Sequence, residues 1–375
     1  MDKWLFRNFN PVIKAVSAGC NLRCGYCFYS GNQPEIKAMR PEVLRAVIAR
    51  CLEVSPAVKF TWHGGEPTLA GIGFYQEAVA LENELRHPNQ RVTNTIQTNA
   101  TIITREWTDF FLRSGFGVGV SIDGPERLHN FARRNAAGLG SFREMLSGMQ
   151  TLRDGRVKFG AIAVVNSFTV DYPEEIFWFM RGLGLSFSAN SCVARPSDPN
   201  EVRNLAISPT RYTEFLLRLS DLWFELDDPK FRIRPLEDVV KGVLGRSPSL
   251  CRYTGSCSRY VTVDYNGEVY PCDEFLEPKY LLGNLEGQSI AEILASQQAT
   301  AYYFGRAATQ VSCGACEWLR ICKGGCMREW DGRKSIADPR NEEFCQARKM
   351  LFAGIQGRLA SLGYSRKVED NEPTC

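Results

Sequence analysis

The sequence lacks the features that mark three large classes of protein. No apolar run approaches the roughly 20 residues needed to span a bilayer, so we expect no membrane-spanning helix. The formal net charge is only +3, which gives no reason to expect a nucleic acid as partner. Residues 1–4 lack the apolar stretch and small-residue cleavage site of a signal peptide, so we expect a cytoplasmic protein.

Cysteine, by contrast, is abundant, with 14 in 375 residues. Eleven stand in three groups with metal-ligand spacing: Cys20, Cys24 and Cys27; Cys251, Cys257 and Cys272; and Cys313, Cys316, Cys322, Cys326 and Cys345. Without an export signal, we expect reduced thiols rather than disulfides. Three thiolates hold three irons of a [4Fe–4S] cubane and leave one iron open, and eight can complete two further cubanes. Zinc is the alternative ligand for each group.

Residues 10 to about 190 alternate short apolar runs with helical patterns. Candidate strands lie at residues 11–16, 58–63, 92–98, 117–122, 158–166 and 185–190. A helix is expected over residues 41–54, and Ser141 with Glu144 predicts a capping box at the start of another. Six such β/α units predict a parallel sheet with crossover helices, with the ligand site at the C-terminal ends of the strands.

The second half of the chain does not continue the alternation of strands and helices. A polar loop at residues 195–209 precedes a long amphipathic helix that Ser208 caps. We place the domain boundary after this helix, with one domain at residues 1–230 and the other at residues 231–375. Asn266 and Gly267, between two apolar runs, predict a β-hairpin. Beyond residue 250 we expect metal clusters, more than a large apolar core, to organise the chain.

The first cysteine group supports a family resemblance. Its C-x3-C-x2-C spacing, with Tyr26 before the third cysteine, resembles the signature of radical S-adenosylmethionine (SAM) enzymes. The resemblance implies a partial (β/α)6 barrel and an open iron that chelates SAM. It also implies that one electron from the cluster cleaves SAM to methionine and a 5′-deoxyadenosyl radical. We expect Tyr26 to pack around the cluster and the adenine.

A second motif follows the second candidate strand. Gly64, Gly65 and Glu66, with Pro67 after them, resemble the GGE motif of radical SAM enzymes. Bare backbone at two glycines lets a ligand approach closely, and a carboxylate can accept a hydrogen bond from the cationic amino group of SAM. The resemblance further implies a polar SAM contact at Ser121 and a contact between Arg133 and the SAM carboxylate.

The C-terminal cysteines resemble the seven-cysteine pattern of the SPASM domain, to which Cys251 adds an eighth. The resemblance implies a first auxiliary cluster held by Cys251, Cys257, Cys272 and Cys326. It implies a second auxiliary cluster held by Cys313, Cys316, Cys322 and Cys345. We expect no special role for the three remaining cysteines, Cys51, Cys192 and Cys375.

One branch of the family fits better than the rest. Its motifs cover residues 20–29, 64–71, 97–99, 121–125, 270–273 and 322–326. Together they resemble the anaerobic sulfatase-maturating enzymes, which oxidise a Cys or Ser of a sulfatase to Cα-formylglycine. One departure is His63, where we expect Gln in those enzymes, and W-H-G-G-E-P is common among related peptide maturases.

Asp273 is the candidate catalytic residue, because it directly follows the expected cluster ligand Cys272. Oxidising an alcohol or thiol carbon requires the loss of a hydrogen atom, a proton and an electron. A carboxylate can take the proton, and a nearby cluster can take the electron. The position resembles the catalytic aspartate of the sulfatase-maturating enzymes. A turn or cap aspartate is the alternative.

These observations together predict a radical SAM oxidoreductase with three [4Fe–4S] clusters. We expect a protein or peptide substrate, an electron donor such as flavodoxin or ferredoxin, and formylglycine as the product. One alternative is a maturase that forms a carbon–carbon or thioether crosslink in a ribosomal peptide. Another is a dehydrogenase or epimerase of a small molecule such as an aminoglycoside. A binding protein without catalysis conflicts with the G-G-E-P motif and the open-site cysteines.

Overall fold

A computed structural model of the chain describes residues 4–27, 29, 36–195, 198–255, 257, 260–303, 313–330 and 339–364. Its strands are β1 (Val12–Ile13), β2 (Ala57–Trp62), β3 (Arg91–Thr98), β4 (Gly117–Ser121), β5 (Phe159–Val165), β6 (Phe187–Ser191), β7 (Ile233–Arg234), β8 (Thr262–Val263), β9 (Glu268–Tyr270) and β10 (Gly283–Asn284). The first six lie within a few residues of the six predicted from the sequence.

Helices follow most of these strands. They are α1 (Pro41–Leu52), α2 (Ile72–Leu85), α3 (Arg105–Ser114), α4 (Glu126–Ala132), α5 (Phe142–Asp154), α6 (Pro173–Gly182), α7 (Asn200–Leu205), α8 (Pro209–Leu226), α9 (Leu236–Val243), α10 (Cys251–Thr254), α11 (Ile290–Leu294), α12 (Leu319–Cys322), α13 (Met327–Trp330) and α14 (Pro339–Ser361). No helix in these ranges is long and apolar enough to cross a bilayer.

The ten strands form one sheet in the order β10-β9-β8-β1-β2-β3-β4-β5-β6-β7. Strands β1 to β6 pair in parallel with their sequence neighbours, for example Val12 with Thr61 and Ala161 with Phe187. Helices cross between them, as parallel pairing requires. The order begins and ends at different strands, so the described strands form an open sheet. This arrangement confirms the predicted partial (β/α)6 barrel.

A buried aromatic cluster supports the end of β2. Tyr75 of α2 is fully buried, packs edge-on against Trp62 with ring centroids 5.3 Å apart, and donates a 2.8 Å hydrogen bond to the carbonyl of Pro67. Trp62 donates from Nε1 to Oδ1 of Asn94 at 2.8 Å. The hydrogen bond of Tyr75 ties this apolar packing to the G-G-E-P loop, so the core fixes the position of that loop.

The two halves of the chain share the sheet. Strand β8 pairs in parallel with β1, where Val12 lies opposite Thr262, and β9 pairs with β8 as the predicted hairpin. Val263 and Val269 are fully buried and belong to the same core cluster as the barrel. The apolar core therefore continues past residue 250, contrary to expectation. Strand β7 pairs with β6 and extends the barrel sheet beyond residue 230. The domain boundary at residue 230 stays a prediction.

Candidate active site

The first three cysteines lie in the loop after β1. Backbone hydrogen bonds hold this loop against the end of α4, from Arg23 N to Arg134 O at 2.6 Å and from Gly25 N to Ala132 O at 2.9 Å. Cys20, Cys24 and Cys27 line one cavity of about 290 Å³. The loop thus gathers the three thiols at the C-terminal end of the barrel sheet.

The thiols sit in a setting that suits cluster ligands. Burial raises the pKa of Cys20 to about 11 and that of Cys24 to about 12, so free thiols here stay protonated. Bound iron deprotonates a coordinating thiol outright. Two N–H groups already point at Cys20 Sγ, from Leu22 N at 3.3 Å and Asn99 Nδ2 at 3.8 Å. Such donors stabilise a cluster sulfur, so the residues present fit a cluster.

The G-G-E-P loop packs directly on the cysteine loop. Gly65 has φ +55°, and a Cβ at this position would lie 2.1 Å from the carbonyl oxygen of Gly19. Glu66 N donates to that same oxygen at 2.7 Å. Gly64, with φ +105°, packs on the side chain of Lys14. The chain's own packing therefore requires glycine at these positions, whether or not SAM is bound.

Glu66 is fixed by hydrogen bonds within the barrel. Its Oε1 accepts from Thr68 N at 3.1 Å, Thr68 Oγ1 at 2.6 Å and Thr98 Oγ1 at 2.8 Å. Its Oε2 accepts from Asn99 N at 2.7 Å. Burial raises the pKa of Glu66, and these hydrogen bonds oppose the rise. The carboxylate thereby joins the ends of β2 and β3 and lies in the cavity wall in a set orientation.

Asp123 connects two of the residues that we expect to contact SAM. It is fully buried and accepts hydrogen bonds from Tyr26 Oη at 2.7 Å, Arg133 Nε at 2.9 Å and Arg133 Nη2 at 3.1 Å. A fourth comes from Val164 N at 2.9 Å, and the Arg133 guanidinium lies 5.4 Å from the Tyr26 ring centroid. Asp123 was not among the predicted site residues, although it lies in the motif at residues 121–125. The predicted contact between Arg133 and the SAM carboxylate stays a prediction.

Ser121 also lies in the cavity wall. Its Oγ accepts a 2.9 Å hydrogen bond from Gln97 Nε2, and both side chains line the cavity. Because β3 and β4 are neighbours, this bond links the Q-T-N motif to the motif that begins at Ser121. Its expected contact with SAM stays a prediction.

Asp273 reaches the same cavity from the C-terminal half. Its Oδ2 lies 3.5 Å from Nδ1 of His63, and Cys272 Sγ donates to its Oδ1 at 3.3 Å. Tyr29 Oη donates to the backbone carbonyl of Asp273 at 3.3 Å, and Lys14 Nζ donates to Tyr29 Oη. Burial raises the pKa of Asp273, but the neighbouring His63 and Lys14 outweigh it and hold the pKa below its usual value.

The single cavity brings together most of the predicted site. Glu66, Ser121 and Arg133 line it with the three cysteines, and so does Asp273. Cys192, for which we expected no role, is buried at the end of β6 and lines the cavity too. The full burial of Lys14 was not anticipated either, because a lysine at the end of a short strand gives no signal of burial in the sequence. Cys51 is buried in α1, and Cys375 lies outside the described residues.

The remaining cysteines fall into two sets of four. After burial, Cys326 contributes to raising the pKa of Cys272, and Cys251 contributes to raising that of Cys326. Cys272 and Cys257 both contribute, again after burial, to raising the pKa of Tyr302. The other four line a separate cavity of about 30 Å³ beside Trp318 and Phe352: Cys313, Cys316, Cys322 and Cys345. The division of the eight cysteines between two clusters stays a prediction.

Within the described parts of the chain, no three His, Cys, Asp or Glu side chains are grouped tightly enough to bind one metal ion.

Comparison with known proteins first defines the class. The radical SAM superfamily matches residues 15–180, and the SPASM iron–sulfur cluster-binding domain matches residues 251–323. With the fold and the open-site cysteines described above, the chain is a radical SAM oxidoreductase with a SPASM domain. Its cofactors are SAM and [4Fe–4S] clusters, including auxiliary ones.

Full-length relatives then define the branch: the chain belongs to the anaerobic sulfatase-maturating enzyme family. The cysteine-type enzyme of Clostridium perfringens is 31% identical over 365 residues, covering 95% of this chain and 98% of that protein. The serine-type enzyme of Bacteroides thetaiotaomicron is 31% identical over 369 residues, covering 92% and 88%.

Solved structures agree in fold. That of native anSMEcpe with bound AdoMet and Cp18Cys peptide matches with a TM-score of 0.86 at 30% identity, covering 95% of this chain and 98% of that one. Streptococcus suis SuiB bound to S-adenosylmethionine matches with a TM-score of 0.63 at 16% identity, covering 87% and 75%. The second likeness concerns the fold alone.

Proposed function

We propose that this enzyme oxidises a Cys or Ser side chain of a protein or peptide to Cα-formylglycine. The observation that carries the proposal is that Asp273 faces the same cavity as Cys20, Cys24 and Cys27. A group able to take a proton thus stands in the chamber where SAM would be cleaved. Relatives named for cysteine-type and serine-type sulfatase maturation span nearly the whole chain and support this substrate class.

The barrel residues would hold the reactive cofactors. Cys20, Cys24 and Cys27 would bind three irons of the first cluster, with the N–H groups of Leu22 and Asn99 directed at Cys20 Sγ. Gly64, Gly65, Glu66, Ser121, Arg133 and Tyr26 would bind SAM. When bound, the cluster and SAM supply the radical that removes a hydrogen atom from the substrate Cβ. The fixed Glu66 and the Asp123–Arg133 pair keep this pocket preorganised, so little reorganisation is needed on binding.

Asp273 would act as the general base. Its carboxylate is held near His63 Nδ1 at 3.5 Å, and its backbone carbonyl is held by Tyr29, so the group is oriented before substrate arrives. The neighbouring His63 and Lys14 favour the carboxylate form, which is the form that accepts a proton from the substrate thiol or hydroxyl. Cys272, the preceding residue, with Cys251, Cys257 and Cys326, would hold the first auxiliary cluster, an electron acceptor. Cys313, Cys316, Cys322 and Cys345 would hold the second.

The proposal includes partners and location. A flavodoxin or ferredoxin would reduce the first cluster, and the protein would work in the cytoplasm. We propose no nucleic-acid partner, because the formal net charge is only +3. No membrane partner is proposed either.

The test is a product analysis with three matched peptides. They share a sulfatase-derived sequence and differ only in Cys, Ser or Ala at the target position. With dithionite and SAM, the Cys or Ser peptide should yield an aldehyde that a hydrazine reagent captures and mass spectrometry locates at that position. The Ala peptide should give none. A product that has lost hydrogen but forms no hydrazone would contradict the proposal and favour crosslinking.

A further inference from the structure

Two arginines and a glutamate form an ion-paired chain in the C-terminal half. Arg252 lies in α10, Glu329 in α13 and Arg348 in α14. Arg252 Nη1 is 3.6 Å from Glu329 Oε1, and Arg348 Nη2 contacts Oε2 of the same carboxylate. The three side chains therefore make one continuous connection, which we call the auxiliary bridge.

Each end of the bridge lies against a different set of cysteines. Arg348 Nη1 donates to Cys322 Sγ at 3.8 Å, and Cys322 belongs to the second set. Cys326, of the first set, donates from its backbone N to Glu329 Oε2 at 3.2 Å. Arg252 directly follows Cys251, of the same first set, in helix α10. The bridge thus spans the protein between the two auxiliary cluster positions.

The bridge is packed rather than a loose surface pair. The side chains of Glu329 and Arg348 are only 8% and 13% exposed, and that of Arg252 is 32% exposed. Gly325 in the C-K-G-G-C segment has φ +75°, and a Cβ there would lie 2.2 Å from Arg348 Nη2. Glycine at this position leaves the room that the guanidinium occupies. Charges withdrawn from water act more strongly on their neighbours.

We propose that the auxiliary bridge sets the reduction potentials of both auxiliary clusters and couples one to the other. A cation or an N–H donor beside a cluster sulfur favours the reduced, more negative cluster, which raises its potential. Arg348 acts on the second cluster, Arg252 acts on the first, and Glu329 positions both and shares its charge between them.

The inference rests on the proposed function only for the source of the electron. Under that function, the first auxiliary cluster would accept the electron released by substrate oxidation, and the second would accept that electron in turn. The potential difference that the bridge sets would decide how far this transfer proceeds. The potentials themselves can be measured without any substrate, so the test does not depend on formylglycine formation.

The experiment uses reconstituted full-length enzyme in which Cys20, Cys24 and Cys27 are replaced with Ala. Only the auxiliary clusters then contribute, and potentiometric titration followed by electron paramagnetic resonance gives their potentials. The second cluster is identified as the signal lost when Cys313 and Cys345 are also replaced with Ala. Iron and sulfide are measured for every variant.

Removing either arginine should act on one cluster. Arg348→Met should lower the ratio of reduced to oxidised second cluster about tenfold at fixed potential, which is about 59 mV for a one-electron couple. Arg252→Met should lower the first cluster's potential in the same direction. Arg358→Met is the control, because this arginine lies ten residues further along the same helix and pairs with Asp221 rather than with a cysteine. A shift in Arg348→Met no larger than that in Arg358→Met would overturn the inference.

Glu329→Gln tests the coupling. Loss of the shared negative charge should raise the potentials of both clusters, and a change in one alone or in neither refutes the bridge. If Arg348→Met fails to assemble the second cluster, Arg348→Lys takes its place, because lysine keeps the charge and loses the planar donor geometry. That variant should show a lower potential than the parent, and an unchanged potential likewise overturns the inference.

Discussion

Asp273 Oδ2 lies 3.5 Å from His63 Nδ1, so a carboxylate from the SPASM half meets an imidazole at the end of β2. The two residues are 210 positions apart in sequence. Their contact occurs because β8 pairs with β1 and brings the C-terminal half against the barrel. Burial lowers the pKa of His63, and the neighbouring Asp273 opposes that fall. The shared sheet therefore builds the site as much as any one motif does.

The glycine at position 65 gives a direct test of how the two loops pack. In Gly65→Ala, the new Cβ would approach Gly19 O to 2.1 Å at a φ of +55°, so one loop must move. We expect about 4 fewer irons per monomer and a large loss of 5′-deoxyadenosine release, since the displaced cysteines hold one cubane. Gly73→Ala is the matched control, because nothing lies within 4 Å of that Cβ. Equal iron content and SAM cleavage in both variants would refute the packing argument.

Metal content tests the division of the cysteines. Three, four and four ligands imply about 12 irons per reconstituted monomer, and replacing Cys20, Cys24 and Cys27 with Ala should leave about 8. Cys24→Ala should release no 5′-deoxyadenosine, because the open-site cluster cannot form. Anaerobically prepared protein with stoichiometric zinc and no labile sulfide would contradict this account.

Asp123 should matter for stability as well as for SAM. Asp123→Asn leaves the buried Arg133 without its carboxylate, and breaking such a pair costs roughly 3–5 kcal/mol of unfolding free energy. Asp171→Asn is the control, because its pair with Arg211 is exposed, and the expected loss is about 1 kcal/mol or less. Urea unfolding under anaerobic conditions measures both. Similar losses in the two variants would show that the buried pair has no special weight.

His129 predicts a specific acid sensitivity. Burial, with Arg133 nearby, lowers the pKa of His129 from 6.5 to about 3. Between those values the unfolded chain binds a proton that the folded chain does not, so stability falls as the pH decreases. From pH 7.5 to pH 5 the loss should be roughly 2 kcal/mol.

The matched variants separate this effect from general acid unfolding. His129→Gln should lose part of the pH dependence in urea titrations, because Gln does not take up the proton. His87→Gln, at an exposed histidine, should keep the dependence of the parent. The assignment fails if the two variants respond to pH alike.

Regular periodicity allowed the barrel to be predicted. The predicted strand at residues 58–63 corresponds to β2 at Ala57–Trp62, and the predicted helix at residues 41–54 corresponds to α1. Local caps were less reliable. Ser141 precedes α5 as expected, but its Oγ donates to Arg133 O at 3.1 Å and makes no capping hydrogen bond. A tertiary partner, the carbonyl of Arg133, therefore decided the outcome at Ser141. The capping box of Ser289 with Glu292 is local and was missed.

The site residues also divide into those that a local motif reveals and those that only the folded structure brings together. Motif residues such as Glu66 could be identified because their spacing is local. Asp123 could not be recognised as the common hydrogen-bond acceptor of several groups, because its donors Tyr26, Arg133 and Val164 come from three separate segments. The role of Lys14 likewise depends on Tyr29 and Asp273, which only the folded sheet places beside it. Long-range contacts of this kind carry no signal in one sequence.

The most direct test of the account is Asp273→Asn. The amide is nearly isosteric and Cys272 is unchanged, so iron content and SAM binding should match those of the parent. We measure 5′-deoxyadenosine and peptide aldehyde in the same reaction. Aldehyde should fall by roughly 10²–10⁴-fold, as expected for loss of a positioned base, while 5′-deoxyadenosine release persists. Full aldehyde formation by Asp273→Asn with intact clusters would contradict the central claim that this carboxylate is the base.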